Sequence, residues 1–313
     1  MNPVLEIDAL SVTFCGKQAV HAVDRVSFSL GGGEVLALVG ETGCGKSVIA
    51  HAVMGLLPGE AQVSGRIVFK GRDLLALSER ERSAMRGKDC AIVFQDPSRA
   101  LNPVHRIGRQ IAEPVLIHGA GSREEAHRRA AALLERMGLS PPGNYLPLYP
   151  CQSSGGMNQR FLIAASTILD PSLVIADEPT KGLDPGRVHE VEDELVRLTG
   201  GGRTALLLIT HDLAVARRIA DRIAVMYAGE IVELAENDAF FDRPSHPYSR
   251  GLLQSLPEHG FVPIPGSSPS PVSPPPGCRF QARCRDGKAV CGGQHPDLVS
   301  AADGRMVRCW QCR

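Results

Sequence analysis

Residues 40–47 read Gly40-Glu41-Thr42-Gly43-Cys44-Gly45-Lys46-Ser47, a spacing of glycine, four residues and Gly-Lys-Ser that suits a phosphate group. Gly40, Gly43 and Gly45 let the backbone turn tightly and aim its N–H groups inward. A helix starting near Gly45 adds its positive N-terminal end. Lys46 then reaches the β- and γ-phosphates of a nucleotide, and the Ser47 hydroxyl holds Mg²⁺. Further along, Leu173-Val174-Ile175-Ala176 ends in two carboxylates, Asp177 and Glu178. Asp177 at a strand tip can hold Mg²⁺ through water, and Glu178 can polarise an attacking water as general base. The plainer alternatives are a glycine turn without a ligand and a strand ending in solvated acids.

Three further motifs sharpen the reading. Phe94-Gln95-Asp96-Pro97 ends an apolar run with a glutamine. Ser153-Ser154-Gly155-Gly156-Met157-Asn158-Gln159-Arg160 opens a helical stretch with hydroxyls and two glycines, a second helix N-terminus fit for an anion. Thr210-His211-Asp212 ends another apolar run with a histidine. Singly these are a loop glutamine, a capped helix and a strand-end histidine; their order around a phosphate loop is not a chance pattern.

The elements that must position these residues alternate along the chain. Strand-like runs are Val35–Val39, Ile67–Phe69, Ala91–Phe94, Leu173–Ala176, Ala205–Ile209 and Ile223–Tyr227; helix-like stretches are Ser47–Leu57, Arg123–Met137, Met157–Leu169, Pro185–Leu198 and Leu213–Ala220. This alternation predicts an α/β fold with a largely parallel sheet. Leu5–Phe14 with Val20–Leu30 reads as an antiparallel β subdomain, and residues 96–160 as a helical insertion. Prolines and serines dominate residues 257–277, a linker or an extended wrapping segment.

Composition bounds the function. The 313 residues carry 34 Lys and Arg against 34 Asp and Glu, and aromatics make up only 4%, which disfavours nucleic acid as a partner. No apolar stretch reaches the roughly 18 residues of a bilayer span, and residues 1–10 lack the basic-then-apolar layout of a signal peptide. The expectation is a cytoplasmic chain that meets a membrane only through partners. Five of the nine cysteines, Cys278, Cys284, Cys291, Cys309 and Cys312, crowd into the last 36 residues, which suggests a metal before disulfides.

With these motifs in hand, residues 4–255 resemble the nucleotide-binding subunit of an ATP-binding cassette (ABC) transporter. Gly40–Ser47 matches Walker A, Gln95 the Q-loop, Ser154-Gly155-Gly156 the signature, and Leu173–Asp177 Walker B. Glu178 matches the catalytic glutamate, Asp184 the D-loop aspartate and His211 the switch histidine; Phe14 stands where such proteins keep an aromatic for adenine. The resemblance implies a P-loop ATPase core with antiparallel β subdomain, helical insertion and Cys-rich tail. It implies ATP and Mg²⁺, with Ser47, Gln95 and Asp177 around the ion. It also implies a sandwich with a second ABC ATPase subunit, whose signature completes each site in trans. Ser153 stands where the signature usually has leucine, and Lys181 where small or hydroxyl residues precede the D-loop; neither removes a catalytic group.

Gln95-Asp96-Pro97 with Leu101-Asn102-Pro103, and Arg243-Pro244-Ser245-His246-Pro247-Tyr248, are similar to the ATPases of peptide and nickel importers. That branch implies two transmembrane permease subunits, an external substrate-binding protein and a place at the cytoplasmic face of the inner membrane. A soluble ABC ATPase of DNA repair or translation is the alternative. The tail spacing C-x₅-C-x₆-C-x₁₇-C resembles the dipeptide and oligopeptide importer tail, in which Cys278, Cys284, Cys291 and Cys309 would hold a [4Fe–4S] cluster; zinc, or unligated cysteines, remain open. The expected organisation is therefore 1–256 as nucleotide-binding domain, 257–277 as linker and 278–313 as a separable tail. Cys312 is expected to be spare, and ATP binding at Lys46 to survive replacement of any one of the four cysteines.

Overall fold

The computed structural model describes residues 3–183, 185–301 and 303–312. Its strands are β1 (Leu5–Cys15), β2 (Ala19–Leu30), β3 (Val35–Val39), β4 (Ala61–Phe69), β5 (Arg72–Asp73), β6 (Cys90–Val93), β7 (Leu173–Asp177), β8 (Ala205–Thr210), β9 (Arg222–Tyr227), β10 (Glu230–Glu236), β11 (Val299–Ser300) and β12 (Met306–Val307). The chain forms two compact units. The larger holds residues 5–30, 35–75 and the chain from 208 onward; the smaller holds residues 76–207 with two short stretches near the N-terminus.

In the larger unit an antiparallel sheet runs in the order β2-β1-β4-β5, as the opening segment predicts. Leu5, Ile7, Leu10 and Val12 of β1 are buried. The alternation slips by one residue between Ile7 and Leu10, where the pairing with β2 is irregular. Ala9 takes a φ of 47° there, so the bulge returns Leu10 and Val12 to the face of Leu5 and Ile7.

The second sheet has the parallel pairing expected and adds an antiparallel edge. β3 is parallel to β9, but β9 pairs antiparallel with β10. The two are joined at Ala228-Gly229, with φ of 45° and 90°, the left-handed pair that a tight hairpin needs. β10 escapes a reading by apolar runs because Glu230 and Glu233 interrupt it, yet these are only 2% and 0% exposed. Glu233 accepts the N–H groups of Ser245 and His246, both at 2.8 Å, and faces Arg305 at 3.4 Å.

The last 36 residues do not form a separate appendage. β12 pairs with β10 and β11 with β12. Arg279, Arg283, Arg305 and Arg308 are each 8% exposed or less, so these four arginines are spent inside the unit, while Arg285 and Lys288 stay exposed. Arg308, for example, donates through Nε to the Ile231 carbonyl at 3.0 Å. The proline-rich segment follows the wrapping alternative: the Pro271 carbonyl accepts the His21 N–H at 2.8 Å.

In the smaller unit β6 and β7 run parallel, with Cys90 opposite Leu173. Helices Pro97–Ala100, Ile107–Ile117 and Arg123–Arg136, then Gly155–Thr167, fill the stretch read as a helical insertion. Arg123–Arg136 starts where Ser122 accepts the Glu125 N–H and buries Ala126, Ala130, Leu133 and Leu134, one helical stripe. Strand β8 contributes residues 205–207 to this unit and 208–210 to the larger one.

Candidate functional site

In the larger unit the phosphate loop joins β3, buried at all five residues, to the helix Lys46–Met54. Two of its glycines are obligatory on contact grounds. A Cβ on Gly40 would lie 2.1 Å from the Met226 carbonyl oxygen, and one on Gly45 would lie 2.3 Å from that of Ala22. Gly45 is also the left-handed N-cap of the helix, with φ 108°. The loop is thus pressed against β9 and β2, and the first N–H groups of the helix have no carbonyl of a preceding turn. Lys46 is 6% exposed. Its Nζ donates to the carbonyls of Gly40 at 2.7 Å and Glu41 at 3.0 Å, which folds the ammonium back over the loop. Cys44 is buried beside it, and burial pushes its thiol up despite the nearby Lys46 charge.

Phe14, near the end of β1, is half-buried opposite Val20 of β2 and Ala61 of β4. His211 follows β8 and is exposed; the next residue, Asp212, caps the helix Leu213–Ile219 by accepting the Ala214 and Val215 N–H groups. Phe14, residues 40–47 and His211 therefore share the larger unit.

The smaller unit carries the other candidates. Asp177, the last residue of β7, is 5% exposed and Glu178 is 9% exposed. Glu178 has a φ of 49°, a left-handed conformation that costs a non-glycine residue about 1 kcal/mol or more and gathers at functional sites. Its carbonyl accepts the Lys181 N–H at 3.1 Å. Gln95 is half-buried after β6. Ser154 caps the helix Gly155–Thr167 by accepting the Met157 N–H, and Ser154 and Gly155 are exposed while Gly156 is buried. The helix thus turns its N-terminal hydroxyl and first glycine outward. Asp184 lies outside the described residues.

The His-Pro-Tyr element reaches the phosphate loop, a connection that sequence reasoning missed. His246 caps the helix Pro247–Gln254, its Nδ1 accepting the Tyr248 N–H at 3.0 Å. Burial lowers the His246 pKa to about 3, so the ring stays neutral. Tyr248, fully buried, accepts the Glu41 N–H through its hydroxyl at 3.0 Å. The Glu41 carboxylate takes Arg283 and Ser268 as further partners. The motif itself signalled Tyr248; nothing local signalled Ser268 or Arg283.

The tail cysteines are free thiols in one region. The Cys278 N–H donates to the Cys291 carbonyl at 2.8 Å. Burial, with the charges of Cys291, Cys309 and Cys284, pushes Cys278 up to about 11. Cys284 is raised by burial and by Asp286, Cys309 and Cys291. Cys278 and Cys284 thus lie near enough to Cys291 and Cys309 to respond to their charge. The Cys312 thiol donates to the Ser245 carbonyl at 3.3 Å, and Cys312 lowers the pKa of the neighbouring Cys309 thiol. Among the described residues no three His, Cys, Asp or Glu side chains gather closely enough to hold one metal ion.

Residues 23–181 match the ABC transporter family, and residues 232–291 match the C-terminal region of oligopeptide and dipeptide transporters. The dipeptide transport ATP-binding protein DppD of Bacillus subtilis is 43% identical, over 99% of this chain and 95% of its own length. DppD of Escherichia coli is 41% identical over 98% and 96%. The oligopeptide transport ATP-binding protein AppD of Bacillus subtilis is 40% identical over 99% and 97%. Among solved structures, a dimeric ATP-binding cassette in a post-hydrolysis state with ADP and Pi is similar, with a TM-score of 0.67 and 26% identity over 74% of this chain and 98% of that one. A phosphate loop built on β3, a carboxylate pair closing β7 and these full-length likenesses agree, and the chain belongs to the ABC transporter family as one of its ATPase subunits.

Proposed function

We propose that this ATPase energises the uptake of dipeptides or oligopeptides through membrane permeases. The observation that carries the reading is the junction of two motifs in one chain: Tyr248 of the His-Pro-Tyr element is hydrogen-bonded to Glu41 of the phosphate loop. The matching C-terminal region and the names of the relatives point to peptide cargo. In this reading Lys46 and the loop N–H groups hold the phosphates, and Ser47, Gln95 and Asp177 take the Mg²⁺, which neutralises phosphate charge when bound. Glu178 takes the proton of the attacking water, and His211 orients the γ-phosphate. Ser154, Gly155 and Gly156 would act on the nucleotide of a partner ATPase, as Asp184 would across the same dimer contact. Phe14 would stack on adenine.

Two permeases and an external substrate-binding protein complete the importer. Among the described residues no helix is long and apolar enough to cross a membrane, so attachment through permeases at the cytoplasmic membrane face suits the chain. A soluble DNA-repair or translation ATPase has no comparable support. The isolated chain should hydrolyse ATP slowly. Its rate per chain should rise with protein concentration and on adding a partner ATPase and permeases in vesicles. Full activity from a strictly monomeric species, followed by light scattering, would contradict the trans arrangement.

We propose further that Cys278, Cys284, Cys291 and Cys309 hold a [4Fe–4S] cluster. Four cysteine thiolates are the ligand set such a cluster takes, the four spaced cysteines of the tail are all free thiols, and the chemistry of the cluster here would be that of a cross-link for the tail. Protein made anaerobically should be brown and contain roughly four irons per chain. Replacing Cys284 should bleach it. Stoichiometric zinc without iron would refute the cluster.

A further inference from the structure

The contact between tail and phosphate loop is a built one. Glu41, second residue of the loop, presents both carboxylate oxygens to the Arg283 fork, Oε1 to Nη2 at 2.9 Å and Oε2 to Nη1 at 3.0 Å. The Arg283 side chain is 6% exposed, against 32% for Glu41. The arginine is itself fixed. Its Nε donates to the Pro265 carbonyl at 2.9 Å, and its guanidinium lies over the Tyr227 ring at 5.6 Å. Ser268 adds a hydroxyl to Glu41 Oε2 at 2.8 Å. Burial alone would raise the Glu41 carboxyl; the bonds from Arg283 and Ser268, with the Arg283 and Lys46 charges, outweigh it and hold the group ionised.

The backbone of the same residue is held as firmly. The Glu41 N–H donates to the Tyr248 hydroxyl, and its carbonyl accepts Lys46 Nζ. Tyr248 packs on Tyr227 and on Phe280, ring centroids 4.6 and 5.4 Å away. The rings under the arginine are thus also those that carry the hydroxyl under the loop. Four residues before Arg283, Arg279 binds the Ala228 carbonyl and the Asp24 carboxylate, beside Gly229, whose N–H donates to the Cys44 carbonyl at 3.0 Å. The tail segment 279–283 therefore meets the phosphate loop directly at Glu41, through Arg283, and indirectly at Cys44, through the Ala228-Gly229 turn.

We propose that Arg283 is a positioning residue of the nucleotide site, acting through Glu41. Its fork fixes the entry of the phosphate loop and neutralises a carboxylate that would otherwise stand unpaired where phosphates arrive. A bidentate, nearly buried pair gives orientation as well as charge. Nucleotide binding then depends on the tail, through Arg283 and not through its cysteines. The inference rests on reading residues 40–47 as the nucleotide-phosphate loop.

The test is a double-mutant cycle on the full chain, read by titration with a fluorescent ADP analogue and by steady-state ATPase kinetics. Arg283→Gln should raise the nucleotide dissociation constant and KM about tenfold, with kcat at saturating ATP within about threefold of the parent. In a Glu41→Gln background the same replacement should change affinity less than about twofold, because no carboxylate remains to position or neutralise. If Arg283 only fastens the tail, Arg283→Gln lowers the melting temperature equally in both backgrounds and leaves affinity unchanged, which overturns the inference. Should Arg283→Gln fail to fold, Arg283→Lys keeps the cation and loses the fork. It should speed hydrogen exchange at the Glu41 amide and weaken binding by an intermediate factor; unchanged exchange and affinity would overturn the proposal. Absence of nucleotide binding by the unaltered chain would instead remove the reading of the loop itself.

Discussion

Lys46→Ala should abolish ATP hydrolysis and weaken nucleotide binding by about ten- to a hundredfold, the worth of one hydrogen-bonded charge on an anion. The ammonium is already in place. It is 6% exposed and tethered to the carbonyls of Gly40 and Glu41, so little side-chain freedom remains to be lost when phosphate binds. Removing it also takes a donor from the carbonyls of Gly40 and Glu41, leaving Glu41 only the Cys44 N–H at 3.3 Å, which loosens the loop that must present its N–H groups. Both losses fall on binding, and the missing cation falls additionally on the charge that develops as the γ-phosphoryl departs. The check is titration with a fluorescent ATP analogue alongside phosphate release, with a thermal melt to show that the fold survives. Measurable turnover in the variant would remove Lys46 from the catalytic role given to it here.

The chemistry of this chain is legible where it is local. Residues 40–47, 154–156 and 177–178 are short runs whose types already state what they can bind, and β3, β7 and β8 read as strands because they are apolar throughout, up to Asp177 closing β7 and Thr210 closing β8. Polar interiors are not legible in this way. Glu233 breaks the pattern of β10, and its burial makes sense only once Ser245, His246 and Arg305 are known to meet it. The tail read as a separable segment for the same reason. Nothing in the sequence around Arg283 indicates that its partner is Glu41, 242 residues earlier. Charge pairs of long range are set by the fold and leave no spacing behind them. The tail strands β11 and β12 have only two residues each, too few for any periodicity to register.

Glu178→Gln should separate binding from chemistry. Glutamine has the size and shape of glutamate and can sit at the same φ of 49°, so the strained backbone is kept and only the proton acceptor is lost. Hydrolysis should fall by about a hundredfold or more, the usual contribution of a positioned general base, while ATP affinity stays near that of the parent. A nucleotide that binds without being consumed keeps whatever assembly it favours. On the proposed arrangement, with signature residues Ser154–Gly156 acting on a partner's nucleotide, the variant should accumulate as an ATP-bound dimer, seen by size-exclusion chromatography with light scattering. ADP should not produce it, because the partner's donors would have no γ-phosphate to hold. Glu178→Gln turning over at the parental rate would sink the base assignment. A silent variant that binds ATP yet stays monomeric with its partner ATPase present would keep the base and reject the trans site.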